Sequence, residues 1–333
     1  MAIGIRRREF ISALGGATIA WPLAARSEEP DRLRHISVVM PMAEGDPAGP
    51  PRVIALQAAL QELGWTTGKN IKIDYRWGAA DADRFRSFAS ELVSQSPELV
   101  LVTGMPALTA LWNATRKIPI LFVLVVDPVT TGFVVSLAKP GGNVTGFTNF
   151  EPPMIGKWLE LLKDVYPRLA HALLLFDPDT TPSESFLSML EASSTKLTVH
   201  STAAPVHNRT DIERAISSFA GQADGGLVAL PCPTTLVNRE QIVALAAQNR
   251  LPAIYPYDYF ARSGGLMSYG VDVVGVYRQA ATYIDRILRG ASPGDLPVQA
   301  PNKFDFVINL STAKALGVNI PPNLLASADE VIE

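Results

Sequence analysis

The chain has 333 residues, 47% hydrophobic and 18% charged, with 24 glycines, 26 prolines and a formal net charge of −3. That composition excludes a disordered or fibrous chain, and the length exceeds what one core usually organises, predicting two lobes. The slightly acidic balance, with no basic cluster beyond the N-terminus, gives no electrostatic basis for a nucleic-acid partner.

The first segment reads as an address. Arg6, Arg7 and Arg8 precede a weakly apolar run, Ile11–Ala25, and Ala25-Arg26-Ser27 offers a small-residue cleavage site. The run carries Gly15, Gly16 and Pro22 and is shorter than the roughly 20 residues a bilayer span needs. Arg7-Arg8-Glu9-Phe10-Ile11 resembles the motif of twin-arginine export, a route for folded proteins. Residues 1–27 are therefore expected to be a twin-arginine signal, leaving the mature protein free in the periplasm; a buried helix with a basic end is the alternative. Cleavage there removes four arginines and a glutamate, moving the formal charge from −3 to −6. No cysteine stands at the site to carry a lipid anchor.

Beyond the signal, short β-branched runs alternate with amphipathic segments. HISVVM (35–40) predicts a buried strand ending at a loop over 41–51. In the following helix, Arg52–Leu63, the residues Val53, Leu56, Leu60 and Leu63 form the apolar face, and Gly64 ends it. IKIDYRW (71–77) alternates like a strand, and Asp81 can cap a helix that turns Phe85, Phe88 and Leu92 inward. LVLVT (99–103) and IPILFVLVV (118–126) are strands, with Pro106 suited to the first turn of the helix between them. Continuous apolar strands alternating with helices predict a parallel sheet covered on both faces.

The rhythm breaks at LAKPGGNVTGFTNF (137–150), which reads as a crossover. A second series follows: helix Ile155–Tyr166, strand HALLLF (171–176), helix Ser183–Ser194, strand KLTVH (196–200) and helix Asp211–Ala220. It continues with strand GGLVAL (225–230), helix Leu236–Asn249 and strand PAIYP (252–256). GGLMSYG (264–270) reads as the return crossing, leading into a helix that packs Tyr283, Ile284, Ile287 and Leu288. FDFVINLS (304–311) is a final strand before a short helix, Thr312–Leu316. Two successive half-folds of similar order amount to a fold-level duplication.

Catalytic vocabulary is thin. The chain lacks a Walker loop, GxGxxG, HExxH and GxSxG, and its four histidines (His35, His171, His200, His207) are scattered. Cys232, the single cysteine, excludes an internal disulfide and a cysteine-based zinc site, and no histidine neighbours it in sequence to activate it. No metal or cofactor is expected. What remains are polar and aromatic residues at the carboxyl ends of strands, where loops and helix N-termini converge on ligands in open α/β sheets. The candidates are Glu44, Thr103, Gly104, Asp127, Asn149, Phe150, Thr234, Tyr255, Tyr257 and Tyr269. Asp46 accompanies Glu44, while Asp177 and Asp179 read as turn residues.

Several stretches carry a family resemblance: LQELGWTTGKNIKIDYRW (60–77), PGGNVTGFT (140–148), GKWLELLK (156–163), QIVALAAQNRLPAIYP (241–256), SGGLMSYGVD (263–272) and LPVQAPNKFDFVINLSTAKALGVNIPP (296–322), with LLASADEVIE (324–333) at the end. In these the chain resembles the substrate-binding proteins of a bacterial ABC transporter family that includes tryptophan-binding members. The resemblance implies an α/β, type I periplasmic-binding fold, with two doubly wound Rossmann-like lobes, three crossovers and a solute in the cleft. On that plan lobe I spans 28–145 plus 272–300, and lobe II 146–271 plus 301–333. It also implies an ABC permease and an ATPase as partners.

The expected function is therefore capture of a small organic solute for an importer, by a carrier and not an enzyme. A ligand-sensing receptor subunit is the alternative, with a hydrolase or transferase using Asp127 or Asp258 as general base behind it. Where relatives carry a serine-rich loop after the first strand this chain has Glu44 and Asp46, which would suit an ammonium group, as in an amino acid or an amine-bearing aromatic.

Overall fold

The computed structural model describes residues 33–150, 153–181 and 183–333, so the export signal expected at 1–27 lies outside the described residues. Residues 33–333 hold together as one unit.

The first sheet has five parallel strands in the order β2-β1-β3-β4-β5: β1 (Arg34–Met40), β2 (Ile71–Trp77), β3 (Leu99–Thr103), β4 (Ile120–Val125) and β5 (Val144–Thr148). Helices α1 (Gly49–Glu62), α2 (Ala82–Gln95) and α3 (Met105–Ala114) connect them. Successive strand residues face opposite sides, and both sides are apolar. Val38, Met40, Leu101 and Val123 join one core, while Val39, Val100, Val102 and Phe122 join another. Asp81 caps α2 by accepting from the amides of Asp83 (2.8 Å) and Arg84 (3.1 Å), as its sequence position predicts.

The second sheet runs β12-β11-β10-β9-β8-β6-β7. Its strands are β6 (His171–Phe176), β7 (His200–Pro205), β8 (Gly225–Ala229), β9 (Ala253–Tyr255), β10 (Met267–Val271), β11 (Phe304–Asn309) and β12 (Glu330–Ile332). All pairs are parallel except β10 with β11. The helices α4 (Met154–Val165), α5 (Ser183–Leu197), α6 (Arg209–Phe219), α7 (Pro233–Val237), α8 (Arg239–Gln248) and α9 (Asp258–Arg262) precede β10. The long α10 (Val273–Leu288) returns to pack on α1 and β4, and α11 (Leu310–Leu316) and α12 (Pro322–Ser327) close the chain. The chain thus passes between the sheets three times: after β5, after β10 and before β11.

Four sequence readings are corrected. VTGFT is the edge strand of the first sheet, not a connection: Gly146 lies so close to β4 that a Cβ there would stand 2.0 Å from the Phe122 carbonyl oxygen. MSYG likewise belongs to β10, held against the turn after β9, where a Cβ on Gly270 would meet the Pro256 oxygen at 1.7 Å. KLTVH is not a strand. α5 runs on to Leu197, and the strand that flanks β6 at the sheet edge is HSTAAP, with His200 opposite His171. The helix expected over 236–249 is broken at Asn238 into α7 and α8.

Candidate functional site

The carboxyl ends of the strands of both sheets converge on one narrow cleft. The first sheet contributes Pro41 after β1, Thr103 and Gly104 after β3, Leu124 and Val126 around the end of β4, and Asn149 after β5. From the second come Thr180 after β6, the Pro231–Pro233 turn after β8, and Tyr257 and Tyr259 after β9. The space between them is about 470 Å³ counting its open mouth. The halves stand close together: a Cβ on Gly104 would lie 3.7 Å from the Pro233 ring.

Local geometry aims these groups. A bulge leaves Leu124 out of the β4–β5 ladder in a left-handed conformation (φ 57°) that a leucine adopts only under tertiary constraint, and its side chain faces the cleft. Gly104, at φ 80°, makes the sharp entry into α3 while its amide donates to the Val123 carbonyl at 3.0 Å. The Asn149 side-chain amide donates to the Tyr257 hydroxyl at 2.8 Å, linking the two halves across the cleft. The Thr103 and Tyr277 hydroxyls bond each other, and Tyr277 also reaches the Met40 sulfur at 3.4 Å. Burial pushes the Tyr257 hydroxyl well above the ordinary phenol range, so it acts as a neutral donor or acceptor.

One lining residue stands apart. Arg52, in the first turns of α1, is 2% exposed. Its guanidinium lies over the rings of Tyr259 (5.8 Å) and Tyr277 (6.0 Å) and reaches the Met42 sulfur at 4.0 Å. No carboxylate lies within 4.0 Å of it among the described residues. The Tyr259 hydroxyl approaches this guanidinium without a hydrogen bond of good geometry.

Of the sequence candidates, Thr103, Gly104, Asn149 and Tyr257 line the cleft. The others do not. Glu44 is exposed to solvent. Asp127 is a turn residue (φ 44°) whose carboxylate accepts from the Thr130 amide at 3.1 Å. Phe150 packs on Trp158 with centroids 5.4 Å apart, and the Thr234 hydroxyl bonds the buried Asp177 carboxylate. Tyr255 is fully buried and stacked on Phe260 at 5.0 Å. Tyr269 stacks on Phe304 at 5.8 Å, on the far side of the second sheet. Asp46 meets no ligand group either: it forms an ion pair with Arg239.

Arg52 and Tyr259 are among the lining residues that the sequence reading does not single out. Arg52 shares the i, i+4, i+8 stripe of Leu56 and Leu60, so a cation on a buried stripe was the available signal. Val53 and Leu63, assigned to that face, are only half-buried.

Other chemistries fare poorly here. Burial pushes the Cys232 thiol up to about 11, which keeps it protonated and unreactive near neutrality. Asp177, Asp179 and His207 place ligand atoms within 4.8 Å of one another at the rim, but Asp177 is already hydrogen-bonded to Thr234 and the Asp179 amide.

No helix among the described residues is long and apolar enough to cross a membrane. The chain matches the family described as ABC transporter substrate binding protein over residues 39–332. It is similar to a tyrosine-binding protein of Clostridioides difficile, 32% identical over 259 residues, which cover 78% of this chain and 74% of the relative. The fold matches the crystal structure of a conserved domain protein from Vibrio cholerae with a TM-score of 0.83 at 28% identity, covering 90% of this chain and all of that one. An ABC domain from Streptococcus pneumonia in complex with L-Trp matches equally, at 0.83 and 24% identity, with the same coverage. Two parallel-dominated sheets, three crossings, a cleft at their strand tips and a family match over nearly the whole described chain together place this protein in the ABC transporter substrate-binding protein family.

Proposed function

We propose that this chain is the periplasmic capture component of an ABC importer, exported by a twin-arginine signal in residues 1–27. It closes on one small organic solute and presents the closed form to a membrane permease. A single observation carries this reading: the cleft takes its lining from the strand tips of both sheets, so one solute touches both halves at once. Contacts available only when the halves are together favour the closed arrangement, because a ligand shifts an equilibrium by its differential affinity for the two states. The tyrosine-binding relative and the L-Trp complex support a solute of about one ring system.

The test is a thermal-shift screen of metabolites against the purified exported protein, followed by uptake of each hit in cells with and without the gene. A solute that binds only the native form raises the melting temperature by mass action, and its uptake is expected to fall in the deletion strain. Chemical turnover of the hit, or uptake unchanged by the deletion, overturns the reading.

A further inference from the structure

We propose that the cleft continues into an outer chamber and that the solute carried has two linked ring units, one in each. This rests on the carrier reading above and names the size and class of the solute.

The outer chamber opens beside the cleft and shares two walls with it, Met105 and Thr180. It measures about 820 Å³ counting its open mouth, so a solute of one ring system accounts for the inner cleft alone. Helix α3 leads from one space to the other. Met105, Thr109 and Trp112 lie at i, i+4 and i+7 on a single helical face, and all three line the chamber. A rise of about 1.5 Å per residue sets Trp112 about 10 Å along the axis from Met105.

The lining suits a flat apolar group. Trp112 stands perpendicular to Phe133 with centroids 5.5 Å apart, and the Arg116 guanidinium holds the indole from 3.7 Å. The Thr131 and Thr180 hydroxyls are turned back onto the carbonyls of Asp127 (2.8 Å) and Asp177 (3.3 Å). Thr109, Asn113 and Asp179 are exposed at the mouth. Met105, Trp112, Phe133 and Pro178 therefore set the chemistry inside, and such a surface favours an aromatic guest.

Both halves contribute. α3 and Phe133 belong with the first sheet, while Pro178–Thr181 follows β6 of the second. A ring held between them gains contacts that exist only when the halves are together, so it adds to the preference for the closed form. With one ring bound, these apolar walls stay wet; a second ring removes them from water. Side chains on adjacent residues of an extended peptide, with Cα atoms about 3.8 Å apart, project to opposite sides and place two rings across such a span.

Aromatic dipeptides are accordingly the probes. Calorimetry on the purified exported protein compares phenylalanyl-tyrosine, tyrosyl-phenylalanine, phenylalanyl-tryptophan and tryptophyl-phenylalanine with L-phenylalanine, L-tyrosine and L-tryptophan; the two orders of each pair extend the solute from either end. At least one dipeptide is expected to bind about tenfold tighter, or more, than either of its halves. Trp112→Ala is expected to lose about tenfold in affinity for that dipeptide while holding its amino-acid affinity. Thr109→Trp, a change at an exposed helix position that fills the chamber, is expected to discriminate in the same way and decides should Trp112→Ala fail to fold. An amino acid binding as tightly as each dipeptide that contains it, native dipeptide affinity in a folded variant, or silence across all seven compounds overturns the inference. The carrier reading falls only if the wider metabolite screen is silent as well.

Discussion

The Asp46 carboxylate, on the loop after β1, and the Arg239 guanidinium, at the start of α8, join the two halves of the protein through bonds of 2.9 and 3.1 Å. Arg239 is 6% exposed, and this fork-to-fork geometry is the strongest form an ion pair takes. If the halves part to admit a solute, as the proposed carrier function requires, this pair is expected to act as a latch on the empty protein.

Asp46→Asn strips the charge from one side of the latch. Leaving Arg239 buried and unpaired costs about 3–5 kcal/mol if the halves stay shut, and opening relieves that cost by rehydrating the arginine. The expected outcome is a larger radius of gyration for the ligand-free variant in small-angle scattering. Ligand affinity should weaken about tenfold or more, since the closed population is taxed. A scattering profile and affinity that match the native protein would remove the latch.

Arg52→Met separates binding from stability. The protein buries this cation among the rings and hydroxyls of Tyr259 and Tyr277 and the Met42 sulfur, without a carboxylate within 4.0 Å among the described residues, and cation–π contact returns about 1 kcal/mol of the burial cost. Replacing it with an apolar side chain of similar length is expected to stabilise the ligand-free form by about 1 kcal/mol, a rise of about 2 °C or more in melting temperature. The further rise that a ligand induces in the native protein should vanish. A fall of several degrees in the ligand-free midpoint would mean that Arg52 is a structural partner instead.

Much of the fold was legible because its signals were local. LVLVT and IKIDYRW match β3 and β2 without a change of boundary: the first is an apolar run buried throughout, and the second alternates apolar with polar residues at the sheet edge. HSTAAP was invisible for the opposite reason. β7 is an edge strand with alternate residues exposed, and pairing with β6, not propensity, makes it a strand. At the site, strand tips located Thr103 and Asn149, but not which of three alternate tyrosines face inward. β9 ends at Tyr255, whose ring turns onto Phe260, and the cleft receives Tyr257 and Tyr259. Arg52 carries no local sign of burial, since it follows Pro50 and Pro51 at the start of the helix. Its burial comes from tertiary packing against Tyr277 of α10, Tyr259 and Met42.

Asn149→Ala and Tyr255→Ala are expected to fail differently. Asn149 loses one hydrogen bond across the cleft, to the Tyr257 hydroxyl, so affinity should fall about tenfold while stability changes by about 1 kcal/mol. Tyr255 is 1% exposed and packed in the core, so its truncation should cost about 3–5 kcal/mol by leaving a cavity. Urea melts beside calorimetry check both. A Tyr255→Ala protein of native stability with weakened binding would move that ring into the site.

Cys232 is expected to give the stability a pH dependence of definite sign. Burial raises its thiol from 9.0 to about 11, against the opposing hydrogen bonds from Thr235. A raised folded value means that stability is fully present below pH 9, where both states hold the proton. It is lost as pH climbs toward 11, because the unfolded chain ionises first. Over the first unit above pH 9 this one group should remove about 1 kcal/mol, and the buried tyrosines, whose ordinary value is 10, add to the loss in the same direction as pH nears 10. Cys232→Ala should flatten the unfolding free energy by that amount between about pH 9 and pH 10, in urea melts of both proteins. Parallel profiles would show that the thiol is solvated in the folded state.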